Sequence, residues 1–488
     1  MTRRRRRFLG AGLVATMLVG GAFALTQYES YTSLYDAAYV GSAACGECHT
    51  QVYDQWRNSP HALMVREASR STVVGDFGDH AWTLPASARR SAADAAPVAR
   101  MRFDGDVPVM SLLDPSTGAM DDFTIDLVVG FQYRQTYLHR EPGGVYRRLP
   151  LQWSVARQAF VPYWNFQEGS TPSAADLRAQ MFTHNSAWNL FCARCHVTHL
   201  DIASKDEHHL VADTSWVEPG IGCEACHGPG SQHVNYFAHN YVNRVAAFVN
   251  NKARGEPVAY IASGPKLERG QDLSVCSRCH GPDIMLASTE AYRQYEPGYS
   301  REGRINDLSP HFKEYPLQPG RTDPTVECWA DGRPKGIGML FRSFIESACH
   351  DGGEARCHDC HDPHMNKLPQ KPGLLEASAA SNAYCLACHD AYRGAAAIAA
   401  HTHHASGTAG SFCYDCHMPR EILNLVSGTR RFTRTHMMSS IPDPRSSIRY
   451  GVEAAPNACN ECHADRSPAW ALARMRDWWG DGDVDGSD

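Results

Sequence analysis

The pattern Cys-X-X-Cys-His occurs eight times in 488 residues and takes up sixteen of the 18 cysteines. It stands at Cys45-Cys48-His49, Cys192-Cys195-His196, Cys223-Cys226-His227 and Cys276-Cys279-His280, and again at Cys357-Cys360-His361, Cys385-Cys388-His389, Cys413-Cys416-His417 and Cys459-Cys462-His463. Two cysteines three apart reach the two vinyl groups of one porphyrin as thioethers, and the next histidine is delivered to its iron. The pattern predicts eight covalently bound haem c groups, with the eight motif histidines as proximal ligands. A covalent anchor holds a porphyrin where little protein surrounds it, so a chain can carry one per roughly 60 residues. Other uses of paired cysteines do not account for the histidine. Zinc sites do not require it, a redox dithiol needs one motif in a βαβ setting, and a disulfide framework would not repeat it. Cys328 and Cys349 are left over; in an oxidising compartment they either pair or stay as two thiols, with pairing the favoured expectation.

Each iron has a second face to fill. Seventeen of the 25 histidines and all 14 methionines remain for it. A second histidine keeps the potential low and methionine raises it, so bis-histidine ligation is the default expectation. No lysine follows a cysteine pair, which removes a lysine-ligated iron. Context selects the distal candidates His61, His139, His199, His233, His311, His364, His404 and His436. His199 and His364 lie three residues after a proximal histidine. One turn on, such a residue stays on the same side of its own porphyrin and so should serve a neighbouring one. His233 follows a Gly/Pro turn, and His404 belongs to a cluster with His401 and His403.

Spacing divides the chain. Residues 39–61 carry the first motif, residues 62–184 are haem-free, residues 185–480 carry motifs two to eight, and 481–488 are an acidic tail expected to be disordered. Within the haem-free stretch, 98–104, 107–113 and 123–129 read as strands, with a turn at 114–118 and a loop over 85–98. Residues 468–480 read as a helix bearing Trp470, Trp478 and Trp479. The expected fold is mainly α with much irregular structure, a multihaem arrangement whose porphyrins form the core, plus a small β-rich insert near the N-terminus.

Arg3 to Arg7 followed by the uncharged stretch 8–25 reads as either a cleaved export signal or an N-terminal membrane anchor. Either way the rest of the chain is expected in the periplasm. Losing those five arginines takes the formal net charge from −6 to −11. That balance argues against nucleic acid and suits both solubility and electrostatically steered redox partners.

Several stretches go beyond the repeated pattern. Tyr39-Val-Gly-Ser-Ala-Ala-Cys-Gly-Glu-Cys-His49, followed by Trp56 and Ser59-Pro-His61, resembles the opening of periplasmic multihaem cytochromes related to the tetrahaem cytochrome of ammonia oxidisers. Cys223-Glu-Ala-Cys-His-Gly-Pro-Gly-Ser-Gln-His233, Cys357-His-Asp-Cys-His-Asp-Pro-His364, Cys413-Tyr-Asp-Cys-His-Met-Pro419 and Pro456-Asn-Ala-Cys-Asn-Glu-Cys-His463 resemble a branch of it often followed by tetratricopeptide repeats, which this sequence, ending at Asp488, does not carry. The resemblance is to octahaem c-type cytochromes of the cytochrome c554 and hydroxylamine oxidoreductase-like group, and that group also includes tetrathionate reductase. It implies one of two activities. The favoured one is electron transfer in a respiratory chain, between a quinol oxidase or an inner-membrane or periplasmic cytochrome and an acceptor. The alternative is an oxidoreductase acting on nitrite, hydroxylamine or tetrathionate at one iron with an open face.

Overall fold

The computed structural model describes residues 37–86, 91–163, 172–183, 186–238, 267–281, 328–336, 339–365, 381–422, 433–438 and 441–480, with isolated positions at 14–18, 20, 21, 89, 245, 261 and 262. Alternation of buried and outward residues governs the first third: Ala99 and Met101 are buried while Arg100 and Arg102 are not, the period of a half-buried strand. Ten strands run through this stretch, some alternating like β3 and others, such as 151–154, buried throughout. They are β1 (Val65–Glu67), β2 (Gly78–Thr83), β3 (Pro97–Asp104), β4 (Val107–Leu113), β5 (Met120–Thr124), β6 (Leu127–Val129), β7 (Arg134–Arg140), β8 (Tyr146–Arg148), β9 (Leu151–Ser154) and β10 (Ala159–Pro162). β2-β3-β4-β5 form one antiparallel sheet; β1-β6-β7-β9-β10 form another, with β8 paired to β7.

Side chains of both sheets and of the Ala174–Met181 helix pack into one core around Phe77, Met101, Met110, Tyr137, Leu151 and Phe160. A second cluster joins Val65, Leu127 and Leu138 of the strands to Trp188, Ala193 and Val197. Burying such large apolar side chains contributes about 1.5–3 kcal/mol each, so this cluster fixes the β1-β6-β7 sheet against the second attachment motif.

Helix and strand share the described fold, which corrects the expectation of a mainly α chain with a small β insert. Sixteen strands fall into five antiparallel sheets among the described residues. The physical reason is the length of the motif helices. Seven of the eight motifs use helical segments of three to five residues, and only Arg269–His280 runs to 12. One turn suffices to present a cysteine pair, so the motifs demand little helix.

The β3 and β4 strands match their expected bounds. The stretch 123–129, expected as one strand, breaks at Asp126. There the backbone N–H donates to the Leu138 carbonyl, and the carboxylate accepts from the Arg140 N–H at 2.7 Å, which turns the chain from one sheet into the other. The C-terminal helix spans Pro468–Trp479, with Ser467 accepting from Trp470 N–H and Gly480 leaving it at φ 80°. No helix among the described residues is long and apolar enough to cross a membrane. Most of residues 8–25, and all of 481–488, lie outside the described residues.

Candidate haem sites

The N–H groups of His49, His361, His389 and His463 donate to the carbonyl of the first cysteine of their motif at 2.9, 2.9, 3.0 and 2.9 Å. On such a turn, residues three apart share a face. Both thiols of a pair therefore point one way, with the histidine beside them.

Six of the eight proximal histidines look across at a second imidazole. Ring centroids are 6.3 Å apart for His49 and His233, 6.3 Å for His280 and His61, and 6.1 Å for His227 and His364. They are 6.1 Å apart for His361 and His436, 6.3 Å for His417 and His401, and 6.3 Å for His463 and His404. This spacing has a simple meaning. A metal–imidazole bond is about 2.0 Å, and an imidazole centre lies about 1.1 Å from its nitrogen when ring bonds are about 1.33 Å. Two imidazoles on opposite sides of one metal then sit about 6.2 Å apart. Among the described residues no three His, Cys, Asp or Glu side chains gather into a metal cage. Opposed pairs suit a planar ring that brings four nitrogens of its own.

The distal rings are also oriented. Nδ1 of His404 lies 2.6 Å from the Thr402 carbonyl, that of His61 3.2 Å from the Pro363 carbonyl, and that of His436 3.3 Å from the Arg434 carbonyl. Nδ1 of His364 meets the Asp362 carboxylate at 3.1 Å, and on the proximal side that of His227 meets the Ala262 carbonyl at 2.7 Å. A carbonyl or carboxylate at Nδ1 selects the tautomer that leaves Nε2 for a metal. Burial pushes His196, His280 and His436 down to about 4, so their rings are neutral at ordinary pH, the state that binds a metal.

Five of the expected distal histidines (His61, His233, His364, His404 and His436) thus face a proximal ring. His139 sits in β7 with Nδ1 2.8 Å from the Thr124 carbonyl and its ring against Phe123. His199, at φ 53°, stacks on Tyr39 at 4.0 Å. His311 lies outside the described residues. His401 is the partner that sequence context passed over, although its neighbours His403 and His404 marked the place. His196 and His389 face no second imidazole at this spacing among the described residues; His196 meets the Trp188 ring at 6.2 Å. Cys328 and Cys349 are not bonded to each other, which corrects the favoured pairing. Cys328 bridges to Pro334 through its backbone, whereas the Cys349 thiol lies near Cys388.

The motifs abut in a definite order. The sulfur of Cys45 lies beside that of Cys223, and the same holds for Cys195 and Cys279, Cys276 and Cys357, and Cys385 and Cys413. Cys226 lies within electrostatic reach of Cys276 and Cys279, Cys385 of Cys360, and Cys416 of Cys459 and Cys462. The series runs first, third, fourth, fifth, sixth, seventh, eighth, and the second motif branches from the fourth.

Polar clamps fix the junctions. Between motifs one and three, the buried Glu224 carboxylate accepts from the N–H groups of Val40, Gly41 and Gly230 at 2.9, 2.7 and 2.7 Å. Ser42 Oγ donates to Glu218 at 2.6 Å and accepts from Cys223 N–H at 2.9 Å. Gly222 is needed there: a Cβ would stand 1.8 Å from the Glu218 carboxylate. Between motifs four and five, Asp272 meets His358 at 3.1 Å.

Attachment turns with opposed imidazoles define a multihaem c-type cytochrome, and the chain is one. Haem c is its cofactor. A family model described as cytochrome c554 and c-prime matches residues 44–75 and 164–228, passing over nearly all of the two sheets. The dissimilatory sulfite reductase MccA of Wolinella succinogenes is 21% identical over 362 residues, 68% of this chain and 42% of that protein. The chain therefore spans less than half the length of this relative. Among solved structures, the outer cell wall cytochrome OcwA is similar with a TM-score of 0.49 and 18% identity, over 91% of this chain and 87% of that one. An undecahaem cytochrome from the S-layer of Carboxydothermus ferrireducens gives 0.36 and 17%, over 90% and 60%.

Proposed function

We propose that the chain carries eight haem c groups in the periplasm and passes electrons along them between respiratory redox partners, such as a quinol oxidase or an inner-membrane or periplasmic cytochrome. The observation that carries this reading is the unbroken succession of motif contacts from Cys45 to Cys462. Bound at each motif, haem supplies a one-electron couple. The chain's own residues set the spacing and orient the imidazoles. The test is the intact mass of purified protein with a spectroscopic redox titration. Eight covalent adducts and eight one-electron couples are expected; colourless protein without adducts would overturn the reading.

A second reading has its own observation. The second motif ends a branch, and His196 faces Trp188 where six other proximal histidines face an imidazole. Arginines gather there. Arg148, buried and donating to Tyr163 Oη at 2.7 Å, exerts its charge on Cys192, and Arg194 and Arg278 do so on Cys195. On this reading the iron at the second motif keeps one face for a small nitrogen or sulfur oxyanion, and the cationic surroundings favour its charge. Electron paramagnetic resonance of the ferric protein separates the two. A high-spin signal that shifts with nitrite, hydroxylamine, sulfite or tetrathionate supports the oxidoreductase; low-spin signals alone leave the relay.

A further inference from the structure

The segment His401-Thr402-His403-His404 ends the Ala395–Thr402 helix, and it meets two different attachment motifs. The ring of His401 lies almost parallel to that of the proximal His417 of the seventh motif, at 3° and 6.3 Å, while His404 faces the proximal His463 of the eighth at 6.3 Å. A regular helix would place residues three apart on one face, directing both rings at the same motif. The chain avoids this through His403, which takes the left-handed conformation at φ 54° and lets His404 leave the helix in a new direction. That conformation is uncommon for a residue with a Cβ, so something must hold it.

The C-terminal helix does. Trp478 stacks flat on the His403 ring at 4.4 Å and 9°. Trp479 donates its indole N–H to the His401 carbonyl at 3.2 Å, with its ring 5.9 Å from the His401 ring. The turn is closed from within by Thr402 Oγ1, which donates to the Ile398 carbonyl at 2.9 Å. The His404 ring rests against Gly410, where a Cβ would stand 2.6 Å from the imidazole. The helix itself is anchored by the buried Ala471, Leu472 and Met475.

We propose that His401–His404 is a single double-ligand turn, giving the distal ligand to the irons of both the seventh and the eighth motif, and that Trp478 and Trp479 are its positioning residues. The last two irons of the series then share one mechanical support, so a disturbance at the C-terminal helix reaches both together. This rests on the haem-bearing reading above.

The test uses the full-length, haem-loaded protein and variants read by electron paramagnetic resonance with redox titration. His401→Met and His404→Met should each remove one bis-histidine low-spin signal, a different one in each case, and raise one couple. Those two signals then mark the seventh and eighth irons. Trp478→Ala/Trp479→Ala should shift both marked signals and leave the others in place, and Trp478→Phe/Trp479→Phe should largely restore them. His403→Gly keeps the left-handed backbone but removes the stacked ring. It should also move both signals, and it stands in if the double alanine variant does not accumulate. A methionine variant that leaves every signal in place, or a tryptophan or His403 variant that moves one marked signal or neither, overturns the proposal. Intact mass of each variant keeps two failures apart: missing haem refutes the underlying reading, whereas full haem content with unmoved signals refutes only the shared turn.

Discussion

His364 shows what one side chain supplies. It follows the fifth motif by three residues yet lies 6.1 Å from His227 of the third, with Asp362 on its Nδ1. On the haem-bearing reading, His364→Ala would take away the imidazole that faces His227 across the iron of the third motif. One low-spin ferric signal should give way to one high-spin signal in the paramagnetic resonance spectrum, with the haem count by mass unchanged. Glu224 plays the corresponding part for the backbone, since its buried carboxylate takes three N–H groups that join the first and third motifs. Glu224→Gln turns one accepting oxygen into a donor facing donors. Hydrogen bonds to a charged group contribute about 1.5–3 kcal/mol each, so chemical denaturation should show a loss of at least about 2 kcal/mol. These residues also mark the limit of what sequence tells. Every proximal histidine is readable because thioether chemistry fixes it next to its cysteines. A distal histidine comes from anywhere in the chain: His61 meets His280, and His233 meets His49. His139 and His401 looked alike by context. Only packing separates a ring held in a sheet by the Thr124 carbonyl from one facing His417.

At the scale of elements, local chemistry set the short pieces and long-range packing set the rest. The β3 and β4 strands and the 114–118 turn that leads on to β5 were legible from their residue types, as was the Pro468–Trp479 helix with Ser467 before it and Gly480 after. The break at Asp126 was not, since apolar residues stand on both sides of it, Ile125 before and Leu127 to Val129 after, and the carboxylate's partner, Arg140 N–H, lies on another strand. The balance of helix and strand was misjudged for a related reason: three strands were readable between residues 62 and 184, where ten strands pair. The short bulged pair of strands at Arg420–Ile422 and Thr433–Arg434 carries a consequence for pH. Glu421 is buried there against Arg333, which Asp331 also holds. Burial pushes its carboxyl up to about 7 from an ordinary 4.5, with the guanidinium only partly opposing. A carboxyl whose pKa is higher folded than unfolded binds more protons when folded. Its contribution is therefore whole below about pH 4.5 and is lost as pH rises through about 7. The thermal stability of the wild-type protein should therefore fall as pH rises over that interval. Glu421→Gln, which cannot ionise, should flatten that slope.

Across the whole molecule the motif contacts form a line with one branch, and this topology separates the two proposed functions. The fifth motif touches the fourth through Cys276–Cys357 and the sixth through Cys360 and Cys385, and among the described residues it is the bridge between the motifs before it and those after. Among the described residues the second motif meets the fourth alone, through Cys195–Cys279, and it carries the arginine-rich surroundings and the six-stranded sheet packed on Trp188. Removing attachment at the fifth motif with Cys357→Ser/Cys360→Ser should lower the intact mass by one haem and cut the line. Removing it at the second with Cys192→Ser/Cys195→Ser should lower the mass equally and leave the line whole. A photosensitiser attached through Glu47→Cys, an exposed position in the first motif, can inject an electron at one end. The eighth motif, marked spectroscopically by His404→Met, reports its arrival at the other. Loss of the fifth haem should slow arrival by orders of magnitude, and loss of the second should leave it unchanged. If the second-motif variant also loses every reaction with nitrite, hydroxylamine, sulfite or tetrathionate, the branch is the place of chemistry and the line is its supply. If those reactions were never present and only the fifth-motif variant fails, conduction is the whole of the function, and the sheets around the second motif serve to shield a side branch.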